Sequence, residues 1–224
     1  MKYSIIGSSS KGNCIIVEDV LMLDVGLSYS KIKKYLPKVK LIFISHSHQD
    51  HLLSSTIKKI AYNYPTIKFL TGSEVVVEKL VECGVNKKNI YILKSNKKYD
   101  LGLLKVKLEE LYHDTPNYAM KWEYKGKKGV YIVDTSNVEG LVARDYDLYL
   151  IENNYREDIL EQHLKDAIDN DDNNKIFYLQ RTIQTHLSKS QCDSFLIENM
   201  GSNSVYEYVH LSKYNNTENG DFDK

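Results

Sequence analysis

Short apolar runs alternate with polar loops and amphipathic stretches along the first half of the chain. Short apolar runs bounded by turn-forming residues are typical of buried strands, whereas apolar positions three or four residues apart are typical of helices. On this pattern we predict strands at 2–6, 14–17, 20–23, 40–44, 67–70 and 90–93. The same pattern predicts helices at 29–36, 53–62 and 73–83. This succession of strands and helices favours an α/β fold.

The second half changes character, because apolar and polar residues alternate as they do in antiparallel strands. We predict strands at 103–111, 118–124, 129–133, 146–151 and 205–209. Helices are predicted at 159–168, with His163 on a solvent-facing side, and at 189–198, and a polar loop at 169–174. Two halves of this kind, each giving a mixed sheet with helices outside it, predict an αββα sandwich. We expect one domain at 1–213 and a disordered tail at 214–224.

Charge and cysteine content narrow the classes of partner. The chain has 30 basic and 30 acidic residues, so binding to nucleic acid would depend on local patches and not on overall charge. Its three cysteines are far apart, which is typical of a reduced, cytoplasmic protein. The first residues look like a strand and no stretch is apolar enough to span a bilayer, so we expect no membrane partner.

The densest group of metal-binding residue types follows the predicted strand at 40–44. It contains His46, His48, Asp50 and His51 within six positions. Imidazole and carboxylate groups are the ligands that zinc, manganese and iron take in catalytic sites. A strand ending in such a loop could hold two ions about 3.5–4 Å apart, which together activate water and clamp a phosphate.

Further candidate ligands follow other predicted strands or lie in loops beside small polar residues. They are His113, Asp134, His186 and His210. This order of motifs resembles the metallo-β-lactamase superfamily over nearly the whole chain, and its HxHxDH signature is matched by the loop from His46 to His51. The resemblance implies the metallo-β-lactamase fold and two divalent ions, zinc or manganese. The implied ligands are His46, His48 and His113 for one ion and Asp50, His51 and His210 for the other, with Asp134 bridging them.

The same resemblance assigns supporting and catalytic roles. Asp24 matches the early aspartate that supports the ligand loop from behind. In the members that process the 3′ end of transfer RNA, a second histidine assists catalysis together with an acidic residue. The corresponding pair here is His186 and Glu152, so we predict His210 as the terminal ligand and His186 as a proton donor or phosphate contact. Asp50 or Asp134 would orient the attacking hydroxide.

Three segments indicate a narrower subfamily. The loop at 7–14, the segment at 152–155 and the ending at 210–216 look like those of YycJ/WalJ-type exonucleases, which implies hydrolysis of phosphodiester bonds in DNA from a 5′ end. The short, neutral and arginine-poor chain departs from that pattern, which puts strong duplex binding in doubt. Additional substrate contacts are predicted for Ser9, Ser10, Asn153 and Ser188.

Two classes of phosphodiester substrate remain as alternatives. Our leading prediction is a nuclease, with nucleic acid or a nucleotide as substrate. The alternative is a small phosphodiesterase that opens cyclic nucleotides, as phage enzymes that counter nucleotide-signal defences do. A glyoxalase II-like thioester hydrolase is a third and less favoured reading. A homodimer is compatible with the resemblance.

Overall fold

Two six-stranded mixed sheets lie face to face in this computed structural model, which describes residues 1–212. The strands of the first sheet are β1 (Tyr3–Gly7), β2 (Cys14–Val17), β3 (Leu21–Leu23), β4 (Leu41–Phe43), β5 (Lys68–Thr71) and β6 (Ile90–Ile92). They pair in chain order, antiparallel from β1 to β3 and parallel from β3 to β6.

The second sheet has the same arrangement, with antiparallel strands first along the chain and parallel strands after them. Its strands are β7 (Lys98–Asp100), β8 (Lys105–Leu111), β9 (Asn117–Tyr124), β10 (Lys127–Ile132), β11 (Leu148–Glu152) and β12 (Val205–Val209). Strands β7 to β10 pair antiparallel, and β10, β11 and β12 pair parallel. Candidate site residues lie at or just after the ends of four of these strands, β8, β10, β11 and β12.

Residues 1–212 form six helices. They are α1 (Tyr29–Ile32), α2 (Ser54–Asn63), α3 (Glu74–Glu82), α4 (Glu157–Asp169), α5 (Asn173–Thr185) and α6 (Lys189–Asn199), and a 3₁₀ turn lies at Lys87–Asn89. Because side chains alternate along a strand, Phe43 packs between the sheets while its neighbour Ile42 packs under α1 to α3. Helix α6 packs on the outer face of the second sheet. The predicted αββα sandwich with two mixed sheets is confirmed.

Helix α5 is the main element that the sequence analysis missed. The predicted polar loop at 169–174 ends early, because the Asp172 side chain accepts a hydrogen bond from Lys175 N at 3.1 Å and starts the helix. Leu179 anchors α5 by packing against Leu160 of α4. Its apolar residues include Ile176, Leu179 and Ile183 at helical spacing, a signal that the sequence analysis did not use, and of these only Leu179 is buried.

Other differences concern burial and chain ends. His163 was predicted to face solvent, yet it is 6% exposed because it shares the inner face of α4 with Leu160. Residues 213–224, including the predicted tail at 214–224, lie outside the described part of the chain. Each helix of residues 1–212 is too short or too polar to cross a membrane.

Candidate metal centre

The histidine loop at 45–52 follows directly from the buried strand β4. The amides of His51 and Leu52 both donate to the carbonyl oxygen of His48, at 3.0 and 2.8 Å, and close the loop into a tight turn. The amide of Val25 donates to the carbonyl oxygen of His51 at 2.8 Å. Backbone hydrogen bonds therefore fix the direction in which the ligand side chains point.

The first group of candidate ligand atoms joins three imidazoles and one carboxylate. Nε2 of His46 lies 3.2 Å from Oδ2 of Asp134, and Nδ1 of His48 lies 3.3 Å from Nε2 of His113. Nδ1 of His113 bonds the carbonyl oxygen of Thr185 at 3.1 Å, so it carries the proton and leaves Nε2 free as a ligand. One ligand atom from each of the four residues lies within 4.8 Å of the others.

The second group shares Asp134 with the first. Oδ2 of Asp50 lies 3.3 Å from Nε2 of both His51 and His210. Nε2 of His51 lies 2.9 Å from Oδ2 of Asp134, the oxygen that also faces the first group. The structure thus brings together the two ligand sets that the sequence predicts, with Asp134 between them. That these residues bind ions stays a prediction.

Asp24 lies behind the ligand loop and is fully buried. Its carboxylate accepts hydrogen bonds from the backbone amide of Ser45 at 2.8 Å, from Nδ1 of His51 at 2.7 Å and from the hydroxyl of Tyr131 at 2.8 Å. The hydroxyl of Ser45 adds a contact at 3.0 Å. A carboxylate bound to Nδ1 leaves the Nε2 lone pair of His51 directed at the site.

The backbone is strained at three positions of the site. Asp24, Asp134 and His210 have φ angles of 58°, 52° and 51°, in the left-handed region. Such conformations cost on the order of 1–3 kcal/mol each and persist where the surroundings hold them. Here Ser8 accepts the His210 amide at 2.7 Å, and the Asn117 side chain donates to the Asp134 carbonyl at 2.6 Å.

Charges in the cluster are tightly coupled. Burial alone would raise the pKa of Asp50, but the charge of His51 and a hydrogen bond from His210 hold it well below its usual range. The pKa of Asp134 also lies well below normal, because His210 and His51 outweigh its burial. Burial lowers the pKa of His113 to about 4. Ionised carboxylates and neutral imidazoles are the forms that bind divalent cations. Burial opposes the charged form of His51 and His210, but the neighbouring carboxylates raise the pKa of both, so these two would release protons when a cation binds.

Two buried polar atoms indicate that the cluster fits a cation. Within residues 1–212, Nε2 of His46 and Oδ1 of Asp134 are buried without a hydrogen-bond partner. Leaving such atoms unsatisfied costs roughly 1–3 kcal/mol each. Mixed imidazole and carboxylate donors suit zinc or manganese. The residues therefore fit divalent metal ions.

A third group lies beside the first two. Nδ1 of His186 bonds Oε1 of Glu152 at 2.5 Å and lies 3.6 Å from Oδ1 of Asp134. Glu152 ends β11 and is fully buried, and its other oxygen accepts the amide of Thr135 at 3.1 Å. Nδ1 of His210 also lies 3.4 Å from Oε1 of Glu152, while its Nε2 lies 3.3 Å from Oδ2 of Asp50. The roles of His210 as terminal ligand and of His186 as proton donor stay predictions.

An open cavity of about 190 Å³ gives access to the cluster. Its lining includes Ser10, one of the predicted substrate contacts. The side chain of Ser188 caps α6 by accepting the amide of Gln191, and Asn153 bonds through its amide to the strand end at Val209. The cavity lining of the described chain includes neither of these two nor Ser9, so their substrate contacts stay predictions.

Four residues of the site were missed by sequence reasoning. The Asn13 side chain bonds Nε2 of His51 at 2.9 Å, and the side chain of Asn154 donates to the carbonyl oxygen of His210 at 3.3 Å. Both lie in segments that the subfamily resemblance had already singled out. Asp114 and Arg181 form an ion pair at 2.6 Å at the cavity mouth. No sequence pattern marks Arg181, because the fold alone brings α5 to the cavity.

Comparison with solved structures identifies the fold. YhfI from Bacillus subtilis, a metallo-β-lactamase fold protein, superposes with a TM-score of 0.67 at 17% identity, over 93% of this chain and 85% of its own. The short form of human tRNase Z gives a TM-score of 0.68 at 15% identity, over 95% of this chain and 93% of its own. Zn²⁺-bound PqqB from Methylobacterium extorquens gives a TM-score of 0.61 at 11% identity, over 94% of this chain and 89% of its own. The chain therefore has the metallo-β-lactamase fold.

Sequence comparison matches a smaller part of the chain, and no protein-family profile matches it. The inactive cytidine monophosphate-N-acetylneuraminic acid hydroxylase of Homo sapiens is 33% identical over 109 residues, 47% of this chain and 22% of its own length. The corresponding hydroxylase of Sus scrofa is 31% identical over 109 residues, which are 47% of this chain and 25% of its own length. The chain thus spans about a quarter or less of the curated relatives that it matches.

Proposed function

We propose that this protein is a metal-dependent phosphodiesterase that hydrolyses phosphodiester bonds of nucleic acid in the manner of an exonuclease. The hydrogen-bonded pair of His186 and Glu152, beside Asp134, carries the proposal. A phosphodiester releases an alkoxide, which needs a proton, whereas a thioester releases a thiolate that leaves without one. The pair therefore favours the phosphodiester over the thioester.

The comparisons support the same class. One of the structures that share the fold is a tRNase and another holds Zn²⁺. The resemblance of the loop at 7–14 and of the segment at 152–155 to YycJ/WalJ-type exonucleases supports the narrower assignment. We propose two divalent ions, zinc or manganese, as cofactors.

The proposed mechanism assigns a separate role to each group of residues in the site. When bound, the ions supply Lewis-acid polarisation of the phosphate and lower the pKa of water. The carboxylates of Asp50 and Asp134, held ionised by their histidine neighbours, accept the hydrogen bond of the attacking water. Burial would raise the pKa of Glu152, but the charge of His186 and its hydrogen bond hold that pKa low. Glu152 thereby fixes the His186 ring, whose Nε2 can give a proton to the leaving oxygen.

The small cavity keeps cyclic nucleotides as a second candidate. Its volume of about 190 Å³ is smaller than the roughly 300–1,000 Å³ of ordinary small-molecule sites. It accepts one phosphodiester group with little else, whether that group belongs to a strand or to a ring. The neutral overall charge also suits a small substrate.

A paired activity assay tests the proposal. The protein, supplied with zinc or manganese, is incubated with labelled single- and double-stranded DNA and RNA, and separately with a panel of 3′,5′-cyclic nucleotides. We expect degradation of the polymers and its loss in Asp50→Ala. Ring opening with little polymer turnover would replace the nuclease by the cyclic-nucleotide enzyme. Hydrolysis of neither, in protein shown to be metal-loaded, would refute both.

A further inference from the structure

Helix α5 forms one wall of the cavity mouth. Tyr178, Arg181 and Thr185 lie on one face of it, three and four residues apart, and all three line the cavity. The helix is held in place by Leu179, which is fully buried against Leu160 of α4. This face of α5, the lip of the cavity, is therefore held by packing against α4 and by the hydrogen bond between the Thr185 carbonyl oxygen and His113.

Arg181 provides the positive charge of this lip. Among the cavity-lining residues of the described chain it is the one side chain with a permanent positive charge, while Asp50 and Asp134 are acidic. The choice of residue is also unusual for this chain, which has only three arginines among 30 basic residues. Arginine differs from lysine in presenting a planar set of N–H groups that matches phosphate oxygens.

Asp114 holds Arg181 next to the cluster. Nη2 of Arg181 bonds Oδ2 of Asp114 at 2.6 Å, and Oδ1 of Asp114 lies 3.3 Å from Nε2 of His48 and 3.2 Å from Nε2 of His113. A guanidinium has five N–H donors, and this bond uses one of them. The Arg181 side chain is 55% exposed, so other donors can reach a ligand at the cavity mouth.

We propose that Arg181 binds a second phosphate, the one adjacent to the scissile phosphodiester of a nucleic-acid strand. The inference rests on the proposed function and narrows its substrate to chains with at least two neighbouring phosphates. The cavity has room for little more than the reacting phosphodiester, so the next phosphate would lie at the mouth, where α5 presents the guanidinium. Cyclic mononucleotides have no group for this subsite.

Binding of nucleotides without a phosphodiester bond tests the subsite apart from hydrolysis. The probes are thymidine 3′,5′-bisphosphate and the two thymidine monophosphates, and calorimetry on the zinc-loaded protein gives their dissociation constants. We expect the bisphosphate to bind about tenfold to a hundredfold more tightly than either monophosphate, as one charge-assisted contact allows. Arg181→Gln should remove this preference and Arg181→Lys should restore part of it.

A matched control uses another arginine–aspartate pair. Arg156 bonds Asp158 on the surface, and Arg156→Gln should keep the preference unchanged. An unchanged preference in Arg181→Gln would overturn the proposal. An equal loss for all three probes together with a loss of bound zinc would also overturn it, because Arg181 would then act only through Asp114 and His48. Since no probe is hydrolysed, failure of the proposed activity would show separately in the polymer assay.

Discussion

Replacing the buried Asp24 by asparagine should weaken metal binding without removing a ligand. Asparagine keeps the shape of the side chain but has a single acceptor oxygen. In the structure one Asp24 oxygen accepts the Ser45 amide, and the other accepts Nδ1 of His51 and the hydroxyl of Tyr131. If the amide oxygen keeps Ser45, the NH₂ group faces the Nδ1–H of His51.

The contact between two donors has a specific consequence. His51 can relieve it by moving its proton to Nε2, but Nε2 is the nitrogen that faces Asp50 and Asp134. A protonated Nε2 cannot bind an ion. Loss of such a supporting partner typically costs about 10- to 100-fold in metal affinity. With hydrogen bonds to a charged group worth roughly 1.5–3 kcal/mol each, losing two would destabilise the metal-free fold by about 3–6 kcal/mol.

Both quantities can be measured on the same preparations. Competition with a chromophoric chelator gives the zinc affinity, and urea unfolding in excess chelator gives the stability of the metal-free protein. Asp19→Asn is the matched control, because Asp19 pairs with Lys2 and Lys38 on the surface, and its zinc affinity should stay within about twofold of the parent. A folded Asp24→Asn protein with the parent's zinc affinity would refute the reasoning.

Two further predictions concern the backbone of the loop and the proton donor. A Cβ at Gly26 would lie 1.6 Å from the carbonyl oxygen of Asp50, so Gly26→Ala must push the ligand loop aside. It should cost about 1–3 kcal/mol in urea unfolding and lower zinc affinity, and parent-like values for both would contradict this close approach. Glu152→Gln removes the charge that orients His186 and should reduce kcat by about 10²-fold or more with zinc content retained. Equal loss of zinc and activity would instead make Glu152 a support of the metal site.

The ligand set could be predicted from sequence because most of it is local or follows a strand. Four of its residues lie in the loop from His46 to His51, and the others follow β8, β10 and β12 at positions that the apolar runs mark. The resemblance to a known superfamily supplied the pairing of these residues into two sets. Local pattern by itself marks the candidate residues but does not say which of them meet.

Site residues that lie on helix α5, which the sequence analysis did not predict, could not be found in this way. Helix α5 has one buried apolar side chain, Leu179, which packs against α4, while Tyr178 and Arg181 line an open cavity. Arg181 and Tyr178 therefore looked like ordinary surface residues. His163 was misplaced for a related reason, because polarity alone does not reveal which helix side a later helix will cover.

The sequence by itself determined the α/β class, the succession of strands and helices along the chain and the candidate ligands, because periodicity and motif spacing are properties of short segments. The tertiary structure decided how those segments meet: that Asp134 lies between two ligand groups, that Asp24 fixes the His51 tautomer and that Arg181 stands at the cavity mouth. These contacts join residues 27 to 88 positions apart. Only packing of the two sheets and their helices sets distances of that kind.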